Sequence, residues 1–461
     1  MKLLEFNRIR NMPVMQATFN PKGPGAVRIH LVPPRVSAFM KIAPGLIIIN
    51  GNDIIPVRKS HMILLANFME ELNKYDGEPI TQKDMDNIID MTVDRTRKTY
   101  YRTKPEVMVD DLKNLVEDFC RMAYGEPVKS TYGVISIGEY AKYMRGPHRM
   151  DLMVSSMSDE NGNWHCNNQC LHCYAAGQTH AGEKELSTFD WYDIVDKLYE
   201  AHVTQVTFTG GEPTLRKDLP VIVRHAKYFI TRINTNGILL DKEYCMRLVY
   251  AELDSIQVTL YSDNEEIHNK LVGSNSWKDT VQGIKNAVEA GLSVSINTPL
   301  CSLNKDFEST LKFVNSLGIR YVSCSSIITT GNALNKDAEK TQLTEEDLLD
   351  ILKKATAYAE KTEMELAFTS PGWVEPDKLR EMKLKVPTCG ACLSNMAITP
   401  SGKVVPCQSW LTGTELGDIL NDDWKDIWDN ETTAGIREFS ARMENVCPLR
   451  FMEDVNKDEE M

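Results

Sequence analysis

From residue 146 onward, short apolar runs alternate with stretches whose apolar residues recur every three or four positions. The runs are RMDLMVSS (149–156), VTQVTFTGG (203–211), ITRINTNG (230–237), DSIQVTLYS (254–262), LSVSINTPL (292–300) and IRYVSCSSII (319–328). Between them, STFDWYDIVDKLYEAH (187–202), RKDLPVIVRHAKYF (216–229), WKDTVQGIKNAVEAG (277–291) and DFESTLKFVNSLG (306–318) carry the helical period, the last two closing on glycine. Six strand–helix units in succession predict a parallel sheet with helices outside it, and six falls short of the eight that close a barrel. The expectation is an α/β chain with a partial, open-sided (β/α)6 TIM-like barrel over 146–370.

The residues before 146 follow another pattern. GLIIINGNDIIPV (45–57) is two apolar runs around a Gly/Asn/Asp turn, a hairpin signature. HMILLANFMEELNKY (61–75) and TQKDMDNIIDMTVDRTRKTYY (81–101) read as helices, the second opened by a capping box of Thr81 and Asp84. A hairpin with two helices predicts a small winged-helix-like α+β domain over 1–105. A helical linker is expected over 106–145, with Gly/Pro punctuation at AYGEPVK (123–129) marking the boundary. The acidic end MEDVNKDEEM (452–461) reads as a frayed tail.

Composition narrows the function classes. At 461 residues, 42% hydrophobic and 25% charged, the chain is ordinary globular material for several domains. No run of about 18 apolar residues occurs, and the first residues lack an apolar segment with a small-residue cleavage site, so a cytoplasmic protein away from membranes is expected. A net charge of −13 with scattered basic residues argues against nucleic acid as a partner.

Eleven cysteines without a secretory signal read as thiols or ligands rather than a disulfide framework. Cys120, Cys245, Cys301 and Cys324 stand apart and read as small core residues. Cys166, Cys170 and Cys173 crowd into HCNNQCLHCY (165–174), where three thiols can converge on one face of a loop. Three thiolates on an iron–sulfur cube leave one iron open to a substrate or cofactor. The competing reading is a zinc site with His165 or His172 as fourth ligand, although zinc sites favour C-x2-C pairs over an x3 gap. The cysteine loop, GGEP (210–213) and NTNG (234–237) follow the first, second and third runs, which places all three at the C-terminal ends of parallel strands, where such folds build their sites.

These residues resemble the radical SAM superfamily. CNNQCLHCY matches its C-x3-C-x2-C motif, TGGEP and NTNG look like its next two, and DSIQVTLYS and HNKLVGSNSWKDTVQGI (268–284) resemble the segments that follow, over roughly 146–330. The resemblance implies that Cys166, Cys170 and Cys173 hold a 4Fe–4S cluster whose fourth iron chelates S-adenosylmethionine. It implies Tyr174 along the adenine, Gly210, Gly211 and Glu212 at the methionine amino group, and Asn234 and Asn236 near the ribose or carboxylate. Glycines would let the backbone approach that ligand, and Glu212 would accept from its ammonium group.

CGACLSNMAITPSGKVVPC (389–407) reads as a hairpin around a Pro-Ser-Gly turn. Its cysteines and Cys447 resemble the auxiliary-cluster motif of SPASM and twitch domains, which implies a cysteine-rich domain over 371–461. Cys389, Cys392, Cys407 and Cys447 could ligate one auxiliary 4Fe–4S cluster, with Cys389 the better match for the first ligand and Cys392 additional. A zinc-stapled hairpin is the alternative. A full SPASM domain carries a further group of closely spaced cysteines, so one auxiliary cluster is expected rather than two.

The resemblance implies an enzyme that cleaves S-adenosylmethionine reductively and modifies a precursor peptide or protein by crosslinking, epimerisation or other C–H functionalisation. A low-potential reductant such as flavodoxin or ferredoxin would supply the electron. The N-terminal hairpin and helices would suit a leader-peptide recognition element, with structural cover for the barrel as the plainer role. Alternatives are a small-molecule radical enzyme of cofactor synthesis and a non-catalytic electron-transfer or sensor protein, though GGEP speaks against the latter.

Overall fold

The structure, a computed structural model, describes residues 2–19, 27–34, 44–51, 53–75, 80–130, 133, 135–141, 144–159, 161–443 and 445–450. The acidic tail at 452–461 and Asn52 of the hairpin turn lie outside the described residues. The chain divides into two compact units, one of residues 1–148 with 198–204 and 228–230, the other of the remainder.

The first unit is built on a four-stranded antiparallel sheet of β1 (Met15–Phe19), β2 (Val27–Val32), β3 (Gly45–Ile49) and β4 (Asp53–Val57), in that order. β3 and β4 form a hairpin with Ile47 opposite Ile55, and Asn50 and Gly51 both take positive φ at its turn. That is the backbone an Asn-Gly pair tolerates. The sheet is larger than the hairpin expected there. VRIHLV hides as a strand because Arg28 and His30 break its apolar run, yet all six residues of β2 are buried. Burial pushes the His30 pKa down to about 3, so the ring is neutral.

Helices Lys59–Leu72, Gln82–Arg97 and Pro105–Ala123 complete this unit, and Thr81 and Asp84 make the reciprocal capping box. The last helix falls where a helical linker is expected over 106–145, and it packs into the core of this unit. Met108, Leu112, Leu115 and Phe119, spaced four, three and four apart, line one stripe and join the same core as Ile47, Ile55 and Leu65. A helix with such a stripe cannot stay a solvated linker.

In the second unit, β5 (Arg149–Ser155), β6 (Gln205–Gly210), β7 (Ile230–Thr235), β8 (Ser255–Thr259), β9 (Ser293–Pro299) and β10 (Tyr321–Ser325) follow one another in a parallel sheet with intervening helices. This is the partial TIM-like barrel. A seventh parallel strand, β11 (Glu365–Phe368), pairs with β10, and its ELAF sequence is too short to stand out by period. On the opposite edge β12 (Asn395–Ile398) runs parallel to β5, and β13 (Lys403–Val405) and β14 (Gly417–Asp418) add antiparallel pairs. The ten strands run β11-β10-β9-β8-β7-β6-β5-β12-β13-β14, so the sheet has two ends and does not close. The cysteine-rich segment, expected as a domain of its own over 371–461, therefore continues the barrel sheet through β12. Among the described residues, no helix is long and apolar enough to cross a membrane.

Phe119 is fully buried in the first unit's core. Phe119→Ala is expected to lower stability by about 3–5 kcal/mol, and Val107→Ala, on the exposed face of the same helix, by less than about 0.5 kcal/mol, in denaturant unfolding followed by circular dichroism.

Candidate functional site

The loops after β5, β6 and β7 meet at the C-terminal end of the parallel sheet and surround a cavity of about 590 Å³. Cys166, Cys170, Cys173, Tyr174, Gly210, Gly211, Glu212, Asn234 and Asn236 all line it. The structure thus brings together the nine barrel residues that the resemblance assigns to the cluster and its cofactor.

The cysteine loop has no regular structure of its own and is gripped through its backbone. Gln169 and Leu171 donate N–H bonds to the carbonyls of Val272 and Leu271, both at 2.9 Å. Asn332 donates its backbone N–H to the Cys173 carbonyl at 2.9 Å and its Nδ2 to the Cys170 carbonyl at 3.1 Å. Gly273 lies so close to this loop that a Cβ there would meet the Gln169 carbonyl oxygen at 2.4 Å. That close approach is a physical reason for the glycine in HNKLVGSNS.

GGEP packs tightly against the end of β5. A Cβ on Gly210 would meet the Ser155 carbonyl oxygen at 2.1 Å, and one on Gly211 the Ser156 carbonyl oxygen at 2.6 Å. Each glycine makes room for the neighbouring strand end while lining the cavity, and Gly210 sits at φ +135°. Glu212 is buried, and burial raises its pKa against the pull of its donors. Its Oε1 accepts from the Thr214 N–H at 3.0 Å, the Thr214 hydroxyl at 2.6 Å and the Thr235 hydroxyl at 2.6 Å. Among the described residues its Oε2 accepts only the Asn236 N–H, at 2.8 Å, which leaves that oxygen able to accept from a bound ammonium group.

Asn236 extends the network by donating Nδ2 to Asn167 Oδ1 at 2.6 Å, so one chain of hydrogen bonds ties all three loops. Thr280 donates its hydroxyl to the Asn236 carbonyl at 2.9 Å. Asn234 Oδ1 is buried and has no partner among the described residues, an acceptor left over beside the cavity. Tyr174 packs with Met153, Met157, Ala397 and Leu411.

Burial pushes Cys166 up to about 12, with further contributions from the charges of Glu212 and Cys173. Burial and then Cys173 and Cys166 raise Cys170, and burial raises Cys173. Thiols in such mutual reach ionise only against added positive charge, which bound iron would bring. No three His, Cys, Asp or Glu side chains among the described residues surround the position of a single ion. A four-iron cluster sets its ligating sulfurs further apart than the ligands of a single ion. His172, one candidate zinc ligand, has Nε2 2.6 Å from the Thr341 hydroxyl, and burial lowers it to about 4. His165 turns toward Glu185 at 3.8 Å. The residues fit a cluster and S-adenosylmethionine: three convergent thiols, a carboxylate with acceptor capacity, and an orphaned amide oxygen.

A second group of thiols gathers at the far edge of the sheet. β12 and β13 form a hairpin, Gly402 turns it at φ +94°, and Cys392 donates its N–H to the Pro406 carbonyl at 3.2 Å, beside Cys407. Cys392 adopts φ +54°, an unusual backbone for a residue with a side chain. Burial pushes Cys407 up to about 12, and the charges of Cys389 and Cys447 add to the rise; burial followed by Cys407 and Cys389 raises Cys392. All four cysteines therefore lie within electrostatic reach of one another. Asn445 anchors the segment bearing Cys447 by accepting the Gly372 N–H and donating to the Val374 carbonyl, both at 2.8 Å. Of the lone cysteines, Cys245, Cys301 and Cys324 are fully buried and Cys120 is half-buried against the N-terminal core.

Asn167, Asn332 and Thr235 were not singled out from the sequence. Thr235 lies inside NTNG and Asn167 at an x position of the cysteine motif, Asn332 lies in no motif, and the roles of the two asparagines come from partners 69 and 162 residues away.

The family model described as Radical SAM superfamily matches residues 165–314, and the SPASM model, described as an iron–sulfur cluster-binding domain, matches 389–449. The chain is 31% identical to PqqA peptide cyclase of Granulibacter bethesdensis over 278 residues, 57% of this chain and 71% of the relative. It is 37% identical to a probable GTP 3',8-cyclase of Methanopyrus kandleri over 140 residues, 30% of this chain and 45% of the relative. Among solved structures, Streptococcus suis SuiB bound to precursor peptide SuiA superposes with a TM-score of 0.60 at 16% identity, over 91% of this chain and 95% of SuiB. Native anSMEcpe with bound AdoMet gives 0.52 at 17% identity, over 64% of this chain and 85% of the other. At these identities the likeness to the structures is one of fold.

Gly210→Ala places a Cβ against the Ser155 backbone at a φ that side chains rarely adopt. The expected cost is at least about 1–3 kcal/mol, read as a lowered melting temperature, whereas Gly177→Ala, where no atom crowds the Cβ, isolates the strain of positive φ alone.

Proposed function

This chain belongs to the radical SAM superfamily, and on that premise we propose that it modifies a peptide or protein by radical chemistry begun at Cys166, Cys170 and Cys173. The observation that carries this reading is the convergence of those thiols, Glu212 and Asn234 on one cavity at the C-terminal ends of parallel strands. A 4Fe–4S cluster held by Cys166, Cys170 and Cys173, with S-adenosylmethionine beside it, would supply the one-electron chemistry that starts hydrogen abstraction from the substrate. Glu212 orients the cofactor by accepting from its amino group through Oε2. Asn234 and Asn236 offer polar contacts for its ribose or carboxylate, and Tyr174 walls the cavity where the adenine would lie. The tight backbone grip on the cysteine loop keeps the three thiols in place as the cofactor comes and goes.

Cys389, Cys392, Cys407 and Cys447 would hold one auxiliary 4Fe–4S cluster, and a low-potential flavodoxin or ferredoxin would provide electrons. The reaction belongs in the cytoplasm, where all eleven free cysteines stay reduced. The peptide reading draws support from the PqqA peptide cyclase relative and from the fold shared with SuiB, solved with its precursor peptide. The four-stranded sheet of the first unit would dock the precursor's leader by strand addition.

Anaerobically reconstituted protein should contain about eight irons, two 4Fe–4S clusters. Cys166→Ala, Cys170→Ala and Cys173→Ala should each abolish 5′-deoxyadenosine formation while about half of the iron remains; a count near four in the unaltered chain would remove the auxiliary cluster. Incubation with GTP in place of peptide tests the nucleotide cyclases' chemistry, and a cyclised purine product would overturn the peptide reading.

Docking makes a separate prediction. A free leader peptide should inhibit modification of the full precursor but leave modification of the isolated core segment unchanged, because only the former depends on tethering. Equal inhibition of both, or of neither, would argue that the first unit only covers the barrel.

A further inference from the structure

Deeper in the barrel, the cavity carries charge that cofactor binding does not use. Alternate positions of β7 and its following turn, Arg232, Asn234 and Asn236, all line it, so Arg232 lies below the two asparagines. At about 3.3 Å per residue, residues 232 to 236 span about 13 Å along the strand direction. Arg149, at the start of β5, lines the same depth.

One carboxylate faces these two guanidinium groups. Asp151 is 1% exposed, and its Oδ1 lies 2.8 Å from Arg149 Nε, so it serves Arg149. Arg232 donates Nε to the Ser255 hydroxyl at 3.3 Å, and among the described residues no carboxylate forms an ion pair with it. Burial and the charge of Arg149 both act to lower its pKa, and Asp151 opposes them. The neighbouring wall is neutral: Gln257 donates to the Ser323 hydroxyl at 3.3 Å, which donates to Asn297 Oδ1 at 2.9 Å. The cavity floor thus holds one more positive than negative group, in a chain whose net charge is −13. A guanidinium kept on a cavity wall beside a second one calls for an anion, and its planar fork suits a carboxylate.

We propose that Arg232, with Arg149 beside it, is a carboxylate anchor that seats an acidic group of the peptide inside the barrel. A group held there keeps its residue below the cysteine loop, with its C–H bonds in the space between anchor and cofactor. The carboxylate could belong to an acidic side chain or to a chain end, and the chemistry of recognition is the same. This inference rests on the peptide-modifying reading above.

The test uses full-length reconstituted protein and three small probes, followed by saturation-transfer NMR and calorimetry. N-acetylglutamate N-methylamide represents an acidic side chain, N-acetylalanine a chain end, and N-acetylglutamine N-methylamide the neutral control. At least one carboxylate is expected to bind tenfold or more tighter than the control, and the better of the two identifies the source. Arg232→Gln should erase that preference and Arg232→Lys restore part of it, with iron content and circular dichroism reporting that each variant is folded. Asp151→Asn gives an independent reading: freeing Arg149 should tighten carboxylate binding several-fold. Equal binding of glutamate and glutamine probes, or no change in Asp151→Asn, would overturn the anchor. So would displacement of the probe by saturating S-adenosylmethionine, which would assign the guanidinium to the cofactor. Wild-type protein that forms 5′-deoxyadenosine yet shows no carboxylate preference would sink the anchor alone, whereas failure to form it under strong reductant would sink the broader reading.

Discussion

The Glu212 carboxylate takes hydrogen bonds from Thr214, Thr235 and Asn236, so the loops after β6 and β7 share one acceptor group. Asn236 then reaches Asn167, which draws in the cysteine loop after β5. Hydrogen bonds to a charged group are worth roughly 1.5–3 kcal/mol each, and a buried carboxylate left unpaired is costly, so this network forms as a whole or not at all. The order of the site follows from it. Three loops that share no covalent constraint are held in one arrangement before any cofactor arrives, which is the preorganisation that binding and radical control require.

Pairing of β12 with β5 has a comparable reach. Because the cysteine-rich hairpin extends the barrel sheet, the residues between the two thiol groups form one packed cluster of Met153, Met157, Ala181, Ala397, Val405 and Leu411, against which Cys166, Cys173 and Tyr174 lie. Gln178 bridges the same ground, donating to the carbonyls of Tyr174 and Ser409 and accepting from the Leu411 N–H. Close-packed interiors transmit displacement poorly by bending, so the separation between the two cysteine groups is rigid. A fixed separation suits two centres that must exchange electrons or hold one substrate between them.

Charge is distributed against the average of the chain. The surplus of acidic residues belongs to the whole sequence, whereas the floor of the cavity, below Glu212, presents Arg149 and Arg232 beside neutral polar groups, with Asp151 paired to Arg149. A small cationic recess within an acidic protein attracts anions only at short range, where screening by the remaining charge and by salt is weakest. Discrimination would therefore come from fit within the cavity and not from long-range steering.

Local features were legible because their partners lie close in sequence. The cysteine loop fits within eight residues, the apolar runs of β5 to β10 repeat with their helices, and the Asn50–Gly51 turn states its own conformation. Tertiary structure alone decided the features whose partners are remote or whose pattern is ambiguous. β2 hides Arg28 and His30 inside a buried strand, β11 is four residues long, and the 105–123 helix becomes core only when a sheet is there to receive it. Gly210 and Gly211 also make room for a neighbouring strand end, because the fold places Ser155 against Gly210 and Ser156 against Gly211. The sequence by itself determined which chemistry the chain carries, because ligand spacing within one loop is a local property. What only the fold decided is which carboxylate, amide and guanidinium face that chemistry, because those contacts span tens to hundreds of residues and depend on strand order.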